Sequence, residues 1–404
     1  MIIKKARNTL QKKIGDIFKV ELLLLLFTIA MALVTFGESL YTAFMSLFLR
    51  DFGIPVVQIG FFFTIFYVAN ALIAIPAGYI SDRMGRKIIV VFLLILSGIV
   101  LSYSLARTTG QLYLIRAAHG VVFAFIFPVA RAYVMDKTTE ENRGQTMGTY
   151  ILFCSIASMV APLLGGIMRD QSGSFNSLFY VAAIFPVLAI LFLLTSVRDL
   201  GKGFTFQKME LPTRDLVKNR VFAVILLMFA MLFLANGVLT PIMSIFAFEE
   251  LGMSYTMLGL LSTFMGIVYA ISQFVAGTLS DHYGRKTLLV YPLFIYAAGV
   301  ALAGLSVNPA MFFFSYLLVG IGAAPYATVA YSYIGDVVKS ERRGTAVGTV
   351  ASLSSTGMIF GPMIGSAIGG FTGLRIPFFV ASGLVLLTIL MLSLLLPKGD
   401  EVRK

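Results

Sequence analysis

Charged residues, cysteine, histidine and tryptophan are all scarce in this chain of 404 residues. Charged side chains make up 12% of it, against about a quarter in soluble domains, whereas 58% of its residues are hydrophobic. A soluble protein of this composition would expose large apolar patches to water. The composition therefore excludes an ordinary soluble domain and indicates a protein that folds in lipid.

The few reactive side chains exclude several further classes of protein. Cys154 is the single cysteine, so no disulfide can form within the chain. The two histidines, His119 and His282, are too few for a Cys/His zinc site. The sequence also lacks a nucleotide-binding loop, a nucleophile elbow and a zinc-protease motif. We therefore expect no metal, no cofactor and no enzymatic activity.

Long apolar stretches, each able to cross a bilayer as a helix, follow one another along the chain. Helices are expected because an isolated strand would leave backbone groups unpaired in hydrocarbon. The twelve stretches are 20–49, 56–80, 88–106, 111–135, 144–168, 176–197, 221–248, 255–279, 287–306, 309–335, 345–370 and 376–396. The sequence thus predicts an all-α membrane protein with twelve transmembrane helices, the first of which is retained rather than cleaved as a signal peptide.

Positive charge is concentrated in alternate loops. The net charge is +12, yet the loops after the first, third, fifth and eleventh stretches contain only Arg50, Arg107, Arg169 and Arg375 as basic residues. Basic loops remain on the cytoplasmic side. We therefore predict a plasma-membrane protein with cytoplasmic N- and C-termini, whose basic residues face lipid headgroups rather than nucleic acid.

The second half of the chain repeats the first at an offset of about 200 residues, as in the recurrence of Asp136 as Asp336. The recurring residues are Gly78, Asp82, Gly85, Arg86, Lys87, Asp136, Arg143, Pro162 and Gly165, matched by Gly277, Asp281, Gly284, Arg285, Lys286, Asp336, Arg343, Pro362 and Gly365. A fixed offset indicates a duplicated six-helix unit. We predict two pseudo-symmetric six-helix bundles, at 1–198 and 220–404, joined by a cytoplasmic linker at 199–219.

The loop after the second stretch, from Gly78 through Asp82 and Arg83 to Lys87, resembles the signature of the major facilitator superfamily. Its copy, from Gly277 to Lys286, strengthens the resemblance, which covers essentially the whole chain. The resemblance implies two bundles around a central cavity, which rock to open it to each side in turn. It further implies a small-molecule transporter whose cavity is lined by the first, fourth, seventh and tenth helices. We expect it to work as a monomer in the bilayer.

The repeated charges lie where helices meet the inner face. Asp82, Arg83 and Arg86 follow the second helix, whereas Asp136 and Arg143 flank the loop between the fourth and fifth. We expect these charges and their copies to form inter-helix ion pairs that hold one arrangement of the bundles and break in the other. Gly78 and Gly277 would allow close approach of neighbouring helices. The alternative is that the charges only anchor short loops to headgroups.

Proline and small residues recur in the fifth and eleventh stretches. They are Pro162, Gly165 and Gly166 in the fifth, and Gly357, Gly361, Pro362 and Gly365 in the eleventh. Small residues four apart form a face for close packing, and proline bends a helix. The fifth stretch also resembles a motif of superfamily exporters that exchange substrate for protons, although Ala157 and Ala161 replace two expected glycines. Generic packing is the alternative interpretation.

Glu38 is the one acidic residue, among 19, that lies deep inside a predicted helix. It lies about 16 Å below the outer helix end, at a depth comparable to that of His119, which shares a helix face with Arg116. Burial favours a neutral carboxyl and a nearby arginine favours an ionised one. Arg116 also resembles part of a superfamily motif linked to proton coupling, and its copy in the second half is Tyr316. We predict that Glu38, Arg116 and His119 couple protons to substrate; a static buried pair is the alternative.

Aromatic and apolar residues dominate the helices expected to line the cavity. The candidates are Tyr41, Phe123, Asn236, Tyr326 and Tyr331. Such walls suit amphipathic or cationic organic molecules, so we predict proton-coupled export of drug-like compounds. One alternative is import or facilitated passage of a sugar or organic anion, which the scarcity of amide side chains disfavours. Another is a non-transporting membrane receptor, which the short loops disfavour.

Overall fold

A computed structural model describes residues 2–138, 142–194, 218–338 and 342–396, and these ranges are almost entirely helical. Their fourteen helices are α1 Ile2–Thr42, α2 Met45–Asp51, α3 Val56–Met84, α4 Ile88–Leu105, α5 Thr109–Asp136, α6 Arg143–Ser172, α7 Phe175–Leu194, α8 Arg220–Leu239, α9 Met243–Glu249, α10 Tyr255–Tyr283, α11 Arg285–Leu305, α12 Pro309–Val337, α13 Arg343–Thr372 and α14 Ile376–Leu395. Twelve segments of these ranges are long and apolar enough to cross a membrane, which confirms the predicted architecture. The predicted linker at 199–219 lies almost wholly outside the described residues.

The first and seventh predicted helices are each interrupted near the outer face. The sequence predicted continuous helices at 20–49 and 221–248, but α1 ends at Thr42 before α2 begins, and α8 ends at Leu239 before α9 begins. In the second half Pro241 lies in the break and has no backbone N–H to continue the helix. The first half has no proline at this point. In the first half the break between α1 and α2 was not predicted, because composition and hydropathy do not indicate where an apolar helix is interrupted.

The small residues of α6 and α13 bring backbones into direct contact. Gly165 lies against the carbonyl of Leu40 in α1, and Gly365 lies against the carbonyl of Val238 in α8. Gly357 and Gly361 face α8 in the same way, and Gly166 faces the carbonyl of Tyr255 across the two halves. No Cβ could be accommodated at these positions without movement of the neighbouring backbone. The small-residue pattern therefore corresponds to close packing in this fold.

The two halves meet along two equivalent helix pairs, α3 with α13 and α6 with α10. Gly60 lies against the carbonyl of Pro362, and its counterpart Gly259 lies against the carbonyl of Pro162. One turn further in, the hydroxyl of Thr64 donates to the Ile359 carbonyl at 2.7 Å, and that of Thr263 donates to the Met159 carbonyl at 2.6 Å. Each half therefore contacts the proline-containing turn of the other half.

Polar contacts also join the two halves at the end of the molecule that is predicted to face outward. Asp170 at the end of α6 accepts hydrogen bonds from the first backbone N–H groups of α10, those of Tyr255 at 3.3 Å and Thr256 at 2.8 Å. It also accepts the Thr256 hydroxyl at 2.6 Å. A carboxylate at a helix N-terminus is favoured by the orphan N–H groups and by the helix dipole. Arg50 and Glu249 add an ion pair between α2 and α9 at 2.8 Å.

The predicted inner ends of the same helices are open. A side chain added at Gly78, Gly144, Gly148 or Gly348 would meet no neighbouring atom within 4 Å, and at Gly277 the nearest is Thr328 Cγ2 at 3.9 Å. The expectation that Gly78 and Gly277 bring helices into close contact is therefore wrong for this conformation. The physical reason is that the halves converge at their outer ends and diverge at their inner ends.

Replacing Gly60 by alanine should loosen the outer closure. The added methyl group would collide with the Pro362 carbonyl across the two halves, and overpacking of this kind costs about 1–3 kcal/mol. Spin labels at Arg107→Cys and Val307→Cys, in a Cys154→Ser background, should report a longer distance between the outer ends. Gly98→Ala, where the methyl group enters open space, should leave the distance unchanged; equal distances in both variants would contradict the prediction.

Candidate functional site: a buried acid, histidine and arginine

Glu38 of α1 and His119 of α5 meet inside the first half. His119 Nε2 lies 3.1 Å from Glu38 Oε2, and the two residues are 1% and 8% exposed. The carboxylate also accepts the hydroxyl of Tyr41, one helix turn along α1, at 3.1 Å and 3.0 Å from its two oxygens. The structure thus brings together the acid and the histidine that the sequence placed at similar depth.

The other ring nitrogen of His119 faces two donors. Arg116 Nη1 lies 3.4 Å from Nδ1, and the hydroxyl of Tyr103, from α4, lies 3.2 Å from it. A guanidinium only donates, so Nδ1 must be the acceptor. In neutral imidazole the single proton then lies on Nε2, facing Glu38. Nε2 is within ion-pair distance of the carboxylate but is not aligned for a hydrogen bond.

Aromatic rings surround the guanidinium of Arg116. Its Cζ lies 4.2 Å from the ring centroid of Phe66 and 4.9 Å from that of Phe62, and Arg116 is 6% exposed. Cation–π contacts partly compensate for the lost hydration of the charge. Its Nε has no hydrogen-bond partner among the described residues. These five residues, Glu38, Tyr41, Tyr103, Arg116 and His119, are called the Glu38 cluster below.

The Glu38 cluster is suited to holding and releasing one proton. An acid, an imidazole and a guanidinium are arranged in series, so a change of protonation at Glu38 alters every contact along the series. Charged groups at this depth in a membrane protein are costly and usually serve a function. No group of three or more metal-ligating side chains was found in the described ranges. The contacts observed within the cluster are hydrogen bonding and ion pairing.

Sequence reasoning missed Tyr103 and assigned Tyr41 a different role. Tyr103 belongs to α4, which was not expected to line the central cavity, and no periodicity within one helix reveals a contact between helices. A tyrosine in an otherwise apolar stretch was the available signal. Tyr41 was predicted to face the cavity, but it is 2% exposed and packs against Phe179.

The other cavity candidates lie on aromatic surfaces in both halves. Phe123 contacts Phe66 and Phe127, with ring centroids 5.2 Å and 4.2 Å apart. Tyr326 and Tyr331 both contact Phe229, at 5.7 Å and 5.4 Å. Tyr331 is 40% exposed, whereas Tyr326 is buried.

The repeated inner-face charges form equivalent networks in the two halves. Arg86 contacts Asp136 at 3.0 Å and Asp82 at 2.7 Å, and it donates to the Ser81 hydroxyl at 2.8 Å. Arg285 contacts Asp336 at 3.0 Å and donates to the Ser280 hydroxyl at 2.6 Å. Ion pairs thus join neighbouring helices from Arg86 to Asp136 and from Arg285 to Asp336, and each of these pairs lies within one half.

The remaining residues of the inner motifs lie in several different surroundings. Gly85 and Gly284 have φ angles of 80° and 83°, which residues with a side chain rarely adopt. Lys286 Nζ donates to the carbonyls of Ser393 and Leu396 at the end of α14. Arg83, Lys87 and Arg143 are exposed. The side chains of Asp281 and Arg343 lie outside the described residues.

The sequence pattern of the Major Facilitator Superfamily matches residues 27–239 and 225–404. Multidrug resistance protein 1 of Bacillus subtilis is 24% identical over 340 residues, which cover 83% of this chain and 86% of that protein. Multidrug resistance protein MdtG of Proteus mirabilis is 25% identical over 370 residues, which cover 88% and 90%. An uncharacterised MFS-type transporter of Methanocaldococcus jannaschii is 22% identical over 332 residues, which cover 80% and 85%.

Solved structures share the fold. A bacterial homologue of the human lysosomal transporter Spinster, in an inward-facing and occupied conformation, superimposes with a TM-score of 0.79 at 18% identity, covering 92% of this chain and 95% of that one. The nucleoside transporter NupG gives 0.72 at 14% identity, covering 92% and 98%. At these identities the likeness establishes the fold alone.

Arg116→Ala should destabilise the protein because the Glu38 carboxylate stays buried after the nearby positive charge is removed. His119 lies between Arg116 and the buried Glu38 carboxylate, and leaving a buried charge without its compensating partner costs up to about 3–5 kcal/mol. The apparent melting temperature of the purified protein in detergent should therefore fall by several degrees. Arg107→Ala, at an exposed position, should have little effect.

A double variant separates electrostatics from packing. If Arg116→Ala lowers stability because the Glu38 carboxylate is left without a compensating charge, Glu38→Gln should restore much of the lost stability in the Arg116→Ala background. Strictly additive losses in the double variant would show that Arg116 acts only through its contacts with the phenylalanine rings.

Proposed function

Since the chain belongs to the major facilitator superfamily, and is a multi-pass membrane transporter of small molecules rather than an enzyme, we propose that it exports amphipathic or cationic organic compounds in exchange for protons. In this proposal it acts as a monomer in the cell membrane, and both termini are cytoplasmic. Residues 1–198 and 220–404 form the two halves that move relative to one another.

The observation that carries the proposal is the position of Glu38. Its carboxylate is buried in α1, a helix expected to line the transport pathway; it accepts the Tyr41 hydroxyl and lies within ion-pair distance of His119. Protonation would convert this acceptor into a neutral acid and weaken both contacts. A bound proton and a bound cation would then compete for the same negative charge, and this competition is the basis of exchange.

The conformation supports alternating access. The outer end is closed by contacts between the halves at Gly60, Gly259 and Asp170, whereas the inner glycines Gly78 and Gly148 have open space around them. A solute could therefore enter between the halves from the predicted cytoplasmic side. Rigid-body rocking about the contacts between the halves would then close this side and open the other.

The aromatic side chains along the expected transport pathway favour export in exchange for protons over uptake of polar metabolites. Phe123 and Phe127 of α5 are partly exposed and pack against one another, and Tyr331 of the second half is 40% exposed and packs against Phe229. The amide of Asn70 is already used in a hydrogen bond to the Gly120 carbonyl, at 3.3 Å. Two of the relatives named above are multidrug resistance proteins. A sugar or organic anion would find few free hydrogen-bonding groups here.

Reconstitution with Glu38→Gln tests the proposal. In proteoliposomes with an imposed pH gradient, the wild-type protein should accumulate tetraphenylphosphonium against its concentration gradient, with opposite proton flux. Glu38→Gln should abolish gradient-driven accumulation, because the amide cannot bind a proton, while exchange of labelled for unlabelled compound at equal pH should continue. Asp51→Asn, at an exposed acid, is the matched control.

Two results would overturn the proposal. Unchanged proton-driven accumulation in Glu38→Gln would exclude this residue as the coupling site. Uptake of glucose or an organic anion without any transport of cationic compounds would favour the importer or facilitator instead.

A further inference from the structure

A cavity of about 210 Å³ lies within the second half, lined by residues of α8, α9, α10, α11, α12 and α14. Its walls include Met243, Met265, Val300 and Phe378, and its polar side chains are Asn236, Thr240, Tyr296 and Tyr316. No aspartate, glutamate, lysine or arginine is among the described residues that line it.

The cavity occupies the position that the Glu38 cluster fills in the first half. The interrupted helices align Met45 with Met243, which places Asn236 where Glu38 lies and Leu239 where Tyr41 lies. The ends of α4 and α11, at Leu105 and Leu305, align Tyr103 with Ala303. The same register aligns Arg116 with Tyr316 and His119 with Val319. All five counterparts of the Glu38 cluster line the cavity.

The repeat explains both the empty space and its neutrality. One tyrosine is replaced by alanine, a second tyrosine by leucine and the histidine by valine, so three of the five positions have smaller side chains without a ring. The acid and the arginine are replaced by an amide and a phenol, so the charge is missing as well. Surrounding side chains have not collapsed into the space, although an unfilled cavity is destabilising.

The hydroxyl of Tyr316 faces the cavity without a partner among the described residues. The residue as a whole is 8% exposed, and its hydroxyl forms no hydrogen bond there, unlike that of Tyr41. A hydroxyl that has no partner in the protein is normally satisfied by water or by a ligand. This hydroxyl can donate to an acceptor that enters the cavity.

We propose that the cavity is a binding site for an uncharged group of about one aromatic ring that carries a hydrogen-bond-accepting oxygen. A dry cavity of about 150 Å³ accommodates benzene, so 210 Å³ admits a ring with one polar substituent. The ring contacts the methionines and Phe378, and the oxygen accepts the Tyr316 hydroxyl. This inference rests on the proposed transport of amphipathic compounds, because it assigns their uncharged portion a place in the second half.

Cysteine labelling tests the site without requiring transport. Cys154→Ser removes the one native cysteine, and Ala303→Cys then places a thiol in the cavity wall. The probes are benzyl methanethiosulfonate, a neutral ring with sulfonyl oxygens, and the cationic 2-(trimethylammonium)ethyl methanethiosulfonate. The rate of labelling by the neutral probe should saturate with its concentration, because a reversible complex precedes the reaction. The cationic probe should react at least tenfold more slowly at the same concentration.

Controls separate binding from mere access. Adding Tyr316→Phe should raise the half-saturating concentration of the neutral probe about fivefold, which is the effect of one lost hydrogen bond. Gly383→Cys, on an open helix surface, should react without saturation and without dependence on Tyr316. If Ala303→Cys does not fold, Val319→Cys reports on the same wall.

The proposal is overturned if labelling of the cavity cysteine is absent, rises linearly with probe concentration, or is unaffected by Tyr316→Phe. Because no proton gradient or net transport enters this measurement, such a result would leave the proposed exchange untouched. Conversely, saturable labelling in a protein that fails to transport cations would retain the site and remove the exchange.

Discussion

A backbone carbonyl within a bilayer has no water to bond, and this constraint connects the helix kinks of the protein to the contact between its halves. Pro162 and Pro362 each remove one donor from their helix and open the preceding turn. The carbonyls of Met159 and Ile359 in those turns accept hydroxyls from Thr263 and Thr64 of the opposite half. The contact between the halves is therefore made at the turns in which a proline interrupts the hydrogen bonding of each helix. When the outer ends separate, water that enters between them can replace the threonine hydroxyls, so hydration would offset the lost hydrogen bonds.

The duplicated fold places different chemistry at equivalent positions of its two halves. In the first half the position is filled by a histidine that contacts an acid on one side and an arginine on the other, and in the second it is a neutral cavity lined by two phenols, those of Tyr296 and Tyr316. An amphipathic solute has a charged part and an uncharged part, and these two environments match them separately. Under the two proposals, the first half responds to protons and the second recognises shape. Because both environments adjoin helices that meet the opposite half, occupation of either could bias the same rocking motion.

The sequence allowed most of the fold to be predicted, since the thickness of a bilayer sets helix length and the internal repeat sets the grouping. The proximity of Glu38 and His119 could be predicted from their similar depth, because ionisable groups within hydrocarbon pair with one another. Tyr103 could not, since contacts between helices depend on their relative rotation. The expected contacts at Gly78 failed for another reason. A transporter has at least two conformations, and sequence does not state which of them is observed.

The position of the inner ion pairs constrains how the halves can move. Arg86 joins the start of α4 to α3 and α5, and Arg285 joins α11 to α10 and α12, so each of these contacts lies within one half. These pairs are intact although the inner ends are apart, and a pair within one rigid body need not break when that body rotates. Their physical effect is therefore to hold three helices of each half together at its inner end. This makes rigid-body motion possible, because a force applied at the outer contacts is then transmitted to the inner face without bending the individual helices.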